Sequence, residues 1–145
     1  MTWEHFEIWK SGSALALHGK QICTTQFELG TVTTGRQRVF AGYFVRITMP
    51  EGTVVTGRDS HGISAALRAT SDSLKTNNIT LKVAGLDPDW YETGLSFNST
   101  KGYIDRYAGG ALFMMDPPPA PERCENDEAV NRLIREAVDG MFIRK

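Results

Sequence analysis

The sequence predicts an α+β fold: a mostly antiparallel sheet of about six to eight strands, with one central helix packed on a face and a C-terminal helix after a proline-rich segment. The first observation is a strand–helix–strand unit, in which the helix-period run Ile63–Lys75 separates the β-branched segments 53–56 and 79–83. The second is a series of short alternating segments before that unit, which favours an antiparallel meander. The third is an amphipathic run over 127–142 that follows the prolines.

Five strand candidates precede the central helix, and turn residues bound each of them. They cover residues 6–10, 14–17, 21–29, 39–49 and 53–56. Ser11-Gly12-Ser13 predicts a turn between the first two, and His18-Gly19-Lys20 predicts the next turn. Pro50-Glu51-Gly52 makes the last two candidates a hairpin.

The central helix, over 62–76, has a start and an end that the sequence marks. Asp59 or Ser60 is the expected N-cap, because its side-chain oxygen can accept an unpaired backbone N–H. Asn77-Asn78 can adopt the left-handed conformation that ends a helix. A narrow apolar stripe predicts packing on a sheet and leaves the opposite side to water; it consists of Ile63, Ala66, Leu67 and Leu74.

The chain after residue 83 is less regular. Residues 88–92 predict a short helical turn, and strands are expected near 103–104 and 111–115. We therefore divide the chain into a single α+β domain over 1–116, a proline-rich connector over 117–126 and a C-terminal helix over 127–145. The apolar stripe of that helix requires a surface, either on the domain or on a partner.

Composition excludes several classes of protein. The 145 residues carry a net charge of −1, which provides no general attraction to nucleic acid or to an anionic membrane. The charge is uneven, since the part from Asp87 onward has seven basic and eleven acidic side chains. Such an acidic region is usually a solvated surface and sometimes binds a basic partner.

The sequence also predicts a cytoplasmic protein without a cofactor. The first residues have neither the basic nor the apolar region of a signal peptide, and no apolar run approaches the ~18 residues of a membrane helix. Cys23 and Cys124 are far apart, and neither has the spacing of a zinc ligand set. The histidines likewise lack metal-ligand spacing, so no metal site is expected.

Arg58, Ser60 and His61 form the first candidate site, where a strand gives way to a helix. Free N–H groups and the helix dipole favour an anion at such a turn, and Arg58 could hold a phosphate or carboxylate. His61 in the first helical turn could act as a neutral base. The structural alternative is that Asp59 caps the helix and Arg58 pairs with a surface acid.

Asp89, Trp90, Tyr91 and Glu92 form the second candidate site, a partner-binding segment. Tyrosine and tryptophan are enriched at the energetic centres of interfaces, and the acids favour a basic partner. Alternatively, Trp90 fills the core while Tyr91 lies half exposed. The two tryptophans near the N-terminus, Trp3 and Trp9, are expected in the core.

These features predict a non-enzymatic protein-binding module, such as a small bacterial immunity, inhibitor or adaptor protein that occludes a partner surface. The alternative is a small enzyme or anionic-ligand binder that uses the Arg58–His61 corner. A hydrolytic site could form if Glu92, Ser96 and Asn98 approach His61. Absent catalytic spacings favour the binding module over an enzyme.

The sequence suggests two further kinds of partner. Single-stranded nucleic acid could bind a sheet face that carries Tyr43, Val45 and Arg46, but the near-neutral charge and the absence of an RNP-like motif oppose this. An exposed edge strand or the last helix could form a homodimer. The identity of a protein partner does not follow from the sequence.

Overall fold

The α+β class is confirmed by a computed structural model, which describes residues 3–93, 99–104 and 110–118, together with residues 132, 135 and 136. These residues form a curled five-stranded antiparallel sheet, a three-stranded sheet and one helix. Most of the predicted connector, 117–126, and of the predicted C-terminal helix, 127–145, lies outside them.

The main sheet has the order β4-β3-β2-β1-β5, and every neighbouring pair is antiparallel. Its strands are β1 (Glu4–His18), β2 (Gln21–Thr34), β3 (Val39–Thr48), β4 (Val54–Asp59) and β5 (Ile79–Leu81). Strands β4 and β5 therefore lie at opposite edges, with three strands between them. Helix α1 (Ile63–Lys75) connects these two edges.

A smaller sheet follows β5 along the chain. A 3₁₀ turn at Ala84–Leu86 leads into β6 (Trp90–Tyr91), which pairs with β7 (Lys101–Ile104), and β7 pairs in turn with β8 (Leu112–Phe113). The helical turn predicted at 88–92 is wrong, because Trp90 and Tyr91 pair with Ile104 and Tyr103 as a strand.

The predicted single sheet of about six to eight strands is also corrected, since the main sheet has five. One reason is that β1 is continuous and has no turn at Ser11-Gly12-Ser13. These residues stay paired with β2, where Gly12 lies opposite Phe27. A Cβ at Gly12 would approach Cε2 of Phe27 to 3.0 Å, so this glycine makes room for a ring instead of reversing the chain.

The helix prediction is confirmed over Ile63–Lys75, but its cap differs from the expected one. Gly62 is the N-cap residue and makes no side-chain cap hydrogen bond. Asp59 instead accepts bonds from the N–H groups of His61 and Gly62, at 2.8 and 2.9 Å. At the other end Asn78 adopts the left-handed conformation, with φ of 61°.

The main core lies between α1 and one face of the sheet. Thr70 is fully buried there, and its hydroxyl donates to the carbonyls of Val45 on β3 and Ala66 on the helix. The helix rests directly on Gly57 of β4, where a Cβ would come within 2.6 Å of the Ala66 carbonyl oxygen. Met114 and Met115, which directly follow the last described strand, also join this cluster.

On the opposite face of the sheet, the N-terminal half of β1 contacts β3 and β4. Phe44 of β3 is fully buried on this face, and the Phe6 ring of β1 meets it edge-on at 5.0 Å. Arg58 of β4 reaches Glu4 of β1 although two strands separate them. Contacts across that width require a strongly curled sheet, with the register shift beside Trp9 bending β1.

Candidate functional site

Arg58 does not point toward His61. Because side chains alternate along a strand, Arg58 and Asp59 lie on opposite faces of β4. Arg58 pairs with both carboxylate oxygens of Glu4, at 2.7 and 3.1 Å, and its guanidinium lies 5.8 Å from the centre of the Phe6 ring. The surface-acid pairing considered from the sequence therefore describes Arg58 in this structure.

The turn before α1 already holds an anionic group of its own. The carboxylate of Asp59 accepts the backbone N–H groups of His61 and Gly62, and these two bonds hold its pKa below the usual value. The Ser60 hydroxyl lies 2.9 Å from Nδ1 of His61, and both side chains are exposed. Use of Arg58, Ser60 and His61 for an external anion stays a prediction.

The Asp89–Glu92 segment divides between core and surface. Trp90 packs against the core, whereas Tyr91 is half exposed and stacks on Tyr103 with ring centres 5.6 Å apart. The Asp89 N–H donates to Asp87, and Glu92 accepts a 2.6 Å bond from Ser64 in the first turn of α1. Tyr91 is thus the exposed ring of the segment, and the partner-binding assignment stays a prediction.

The expectation that Trp3 and Trp9 lie in the core is wrong, since they are 50% and 44% exposed. Trp9 sits at the register shift of β1, and Trp3 precedes that strand. Helix α1 packs mainly against β3, β4 and β5, and neither tryptophan belongs to the core cluster beneath it. The alternating pattern identified a strand correctly but could not indicate where the covering helix ends.

Trp9 belongs to a cluster that we name the aromatic surface, formed by Trp9, Phe40 and Tyr43. The rings of Trp9 and Phe40 both meet Tyr43 at steep angles, with centres 5.9 and 5.2 Å apart. Phe40 is 52% exposed, while Tyr43 is partly buried against the main core. Tyr43 lies opposite Asp59, so the aromatic surface borders the start of α1.

Two adjoining hollows occur among the described residues on the other side of the helix. One has a volume of about 270 Å³ and lies between α1 and the chain around β5; the second, of about 240 Å³, lies beside Trp90. Arg68 and Leu86 line both. Neither hollow includes Arg58, Ser60 or His61.

Other classes of site receive little support from the described part of the chain. No three His, Cys, Asp or Glu side chains gather there as metal ligands, and no helix there is long and apolar enough to cross a membrane. Tyr43 and Val45 share the core face of β3, whereas Arg46 lies on the other, so the three do not form one nucleic-acid surface. Ser96 and Asn98 lie outside the described residues.

Comparison with known proteins does not identify a family. No family model, no curated protein and no solved structure matches the chain. The function is therefore inferred from the side chains and surfaces described above.

Proposed function

We propose that the protein is a non-enzymatic protein-binding module that acts by covering a surface of its partner, as immunity, inhibitor and adaptor proteins do. The observation that carries this proposal is the aromatic surface. Trp9 and Phe40 expose about half of their area to solvent, yet each is held against Tyr43. Aromatic side chains on a surface supply large contact areas with little loss of conformational entropy on binding.

The surroundings extend this surface in the direction of the N-terminus. Trp3 is half exposed and lies beneath the guanidinium of Arg36, 5.8 Å from the ring. Glu7 pairs with Arg38 at the edge of the same region. An apolar centre with charged groups at its rim is the usual anatomy of a protein interface.

The test is partner capture from the cells that produce the protein, followed by variants. Wild type is expected to retain one protein in stoichiometric amount, and Phe40→Ala is expected to lose it. Val54→Ala is the matched control, because Val54 is also about half exposed but lies on edge strand β4. Tyr91→Ala tests the Asp89–Glu92 segment separately.

Three outcomes would contradict the proposal. They are the absence of a stoichiometric partner, equal capture by wild type and Phe40→Ala, and equal loss with Phe40→Ala and Val54→Ala. Sedimentation of the purified protein then distinguishes another protein from a second copy of this chain as the partner. If the wild type is a dimer and Phe40→Ala is a monomer, the partner is a second copy.

The alternative, an enzyme or anion binder at the Arg58–His61 corner, is favoured by one contact. The Ser60 hydroxyl and His61 Nδ1 are within hydrogen-bond distance, as a nucleophile and its base must be. If this alternative holds, His61→Gln abolishes hydrolysis of a small ester and Arg36→Gln does not. Equal rates in wild type and His61→Gln would exclude it.

A further inference from the structure

Leu15 and Leu17 of β1 are buried on the face of the sheet opposite to α1. Because side chains alternate along a strand, these two leucines face away from Ala14 and Ala16, which belong to the main core. They are only 5% and 2% exposed, yet neither belongs to the core cluster. Among the described elements, β1 makes extensive contacts only with β2 and β5, its neighbours within the sheet. Another part of the chain must therefore cover this pair, which we name the leucine patch.

The exposure of neighbouring side chains locates the cover of the leucine patch near edge strand β5. Thr24, which lies opposite Leu15 on β2, is exposed. On the other side of β1, Lys82 directly follows β5, and its backbone N–H donates to the Leu15 carbonyl. Lys82 is only 2% exposed. The covered area therefore extends from the leucine patch toward β5 and not toward β2.

The chain approaches this area just before the predicted connector. The carbonyl of Asp116 accepts the N–H of Ala84 at 2.8 Å, and Ala84 is two residues beyond Lys82. Pro118, the last residue of this described stretch, is buried. The remaining connector, residues 119–126, can span up to roughly 26 Å when extended. The segment that follows it is thus within reach of the leucine patch.

This following segment, 127–142, has the amphipathic pattern that such a patch requires. Its described residues Arg132, Arg135 and Glu136 are helical, and Arg132 and Glu136 are exposed. Because they are four residues apart, these two share one side of a helix. Helical periodicity assigns the apolar residues to the opposite side; they are Val130, Leu133, Ile134, Ala137, Val138 and Met141.

We propose that residues 127–142 form a helix that docks within the same chain, with its apolar side on the leucine patch. The same chain is the occupant because the two leucines are buried within a single copy of the protein. The other segments outside the described residues, 94–98 and 105–109, belong to the small sheet, whose Phe113 packs on the main core at the other face. The docked helix leaves the aromatic surface free, so this proposal is independent of partner binding.

The test is paramagnetic relaxation enhancement in amide spectra of the full-length protein. A nitroxide label is attached at Glu136→Cys, an exposed position, after both native cysteines are replaced by serine. We expect the signals of Leu15 and Leu17 to lose at least half of their intensity relative to the reduced label. The same label at Arg36→Cys, in the turn at the other end of β1, should leave them unchanged. Unchanged signals with the Glu136→Cys label, or equal loss with both labels, would overturn the proposal.

A mixed sample separates docking within one chain from exchange of helices between chains. Isotope-enriched protein without the label is mixed with labelled protein of natural isotope abundance. Docking within one chain predicts full intensity for Leu15 and Leu17 in this mixture. Loss of intensity there would show that the helix comes from a second copy, and would contradict the proposal.

Variants of the helix identify the side that docks. Leu133→Asp places a charge among the apolar residues and should restore the Leu15 and Leu17 signals in the labelled protein, while Val45 in the main core keeps its chemical shift. Arg132→Asp, on the exposed side, is the matched control and should not restore them. Persistent loss in Leu133→Asp, or equal restoration by both variants, would contradict the assigned side. If Leu133→Asp does not fold, the label on the unaltered helix still decides whether it docks.

Discussion

Arg58 shows how strand alternation decides the role of a single side chain. As the penultimate residue of β4 it lies on the face opposite Asp59, and there it meets the N-terminal half of β1. Its two contacts with Glu4 form the bidentate geometry of a strong arginine–carboxylate pair. The hydrogen bond from Arg58 lowers the pKa of Glu4.

We predict that Arg58→Gln raises the pKa of Glu4 toward its ordinary value. In wild type the lowered pKa means that the pair stabilises the fold fully above the unfolded-state pKa, about 4.3 for glutamate, and loses this effect as the pH falls through the folded-state pKa. Carboxyl NMR titration measures the shift. Arg38→Gln, which removes the partner of Glu7, is the control and should leave Glu4 unchanged.

Asp59 gives a second prediction in acid. Its pKa is lowered by the N–H groups of His61 and Gly62, so its stabilising effect is complete above about pH 4 and declines as the pH falls further. Asp59→Asn should therefore unfold with a weaker acid dependence than wild type in urea titrations across this range. Ser60→Ala keeps both bonds and should retain the wild-type dependence; a wild-type slope in Asp59→Asn would contradict the assignment.

At the scale of elements, the position of α1 on the sheet depends on its close contact with β4. Gly57 lies under the helix, where a Cβ would collide with Thr70 and the Ala66 carbonyl. The Thr70 hydroxyl meanwhile bonds to the Val45 carbonyl of β3 at 2.8 Å. The helix is thus held to two strands by one close backbone approach and one buried hydrogen bond.

We predict that Gly57→Ala lowers the free energy of unfolding by about 1–3 kcal/mol, because the helix must move away from β4. Urea unfolding at equilibrium measures the change. Thr56→Ala, at the exposed neighbouring position, is the control and should change stability by less than about 0.5 kcal/mol. An unchanged midpoint in Gly57→Ala would contradict the described contact.

The sequence predicted those helices and strands whose identifying residues are close together in the chain. The apolar stripe of the helix over Ile63–Lys75 and the left-handed Asn78 that ends it are both visible in the sequence, and both predictions are confirmed. Gly12 was misread as part of a turn, because the reason for this glycine is Phe27 on the paired strand, fifteen residues away.

The candidate sites were predicted to a smaller extent than the fold. Side chains alternate along β4, and this alternation places Arg58 on the face opposite Asp59 and away from His61. The sequence could have predicted this only if the strand were known to continue to Asp59. Trp9 and Phe40 are far apart in the chain and become neighbours through their common contact with Tyr43. Their exposure depends on which parts of the sheet the helix covers, which is a property of the tertiary fold.

At the scale of the whole molecule, the curled sheet creates two packing environments. One face carries α1 and the main core, while the other closes over Phe44 through Phe6 and the guanidinium of Arg46, which lies 5.2 Å from the Phe44 ring. Phe44 is fully buried, but Phe40, four residues earlier on the same strand and beyond the register shift at Gly42, is half exposed. The two rings should therefore differ in what they contribute to stability.

We predict that Phe44→Ala lowers the free energy of unfolding by about 3–5 kcal/mol. Phe40→Ala should cost about 0.5–1.5 kcal/mol, mainly through its contact with Tyr43. Urea unfolding of the two variants under the same conditions provides the comparison. Equal losses of stability would show that Phe40 is a core residue and would remove the basis of the aromatic surface.

The most direct test of partner binding is site-specific photo-crosslinking in the cells that produce the protein. A photoreactive phenylalanine analogue replaces Phe40 on the aromatic surface in one strain and Val54 on edge strand β4 in another. We expect a single discrete protein adduct from position 40 and none from position 54. No adduct at position 40, or the same adducts at both positions, would contradict the proposal that the aromatic surface binds a partner.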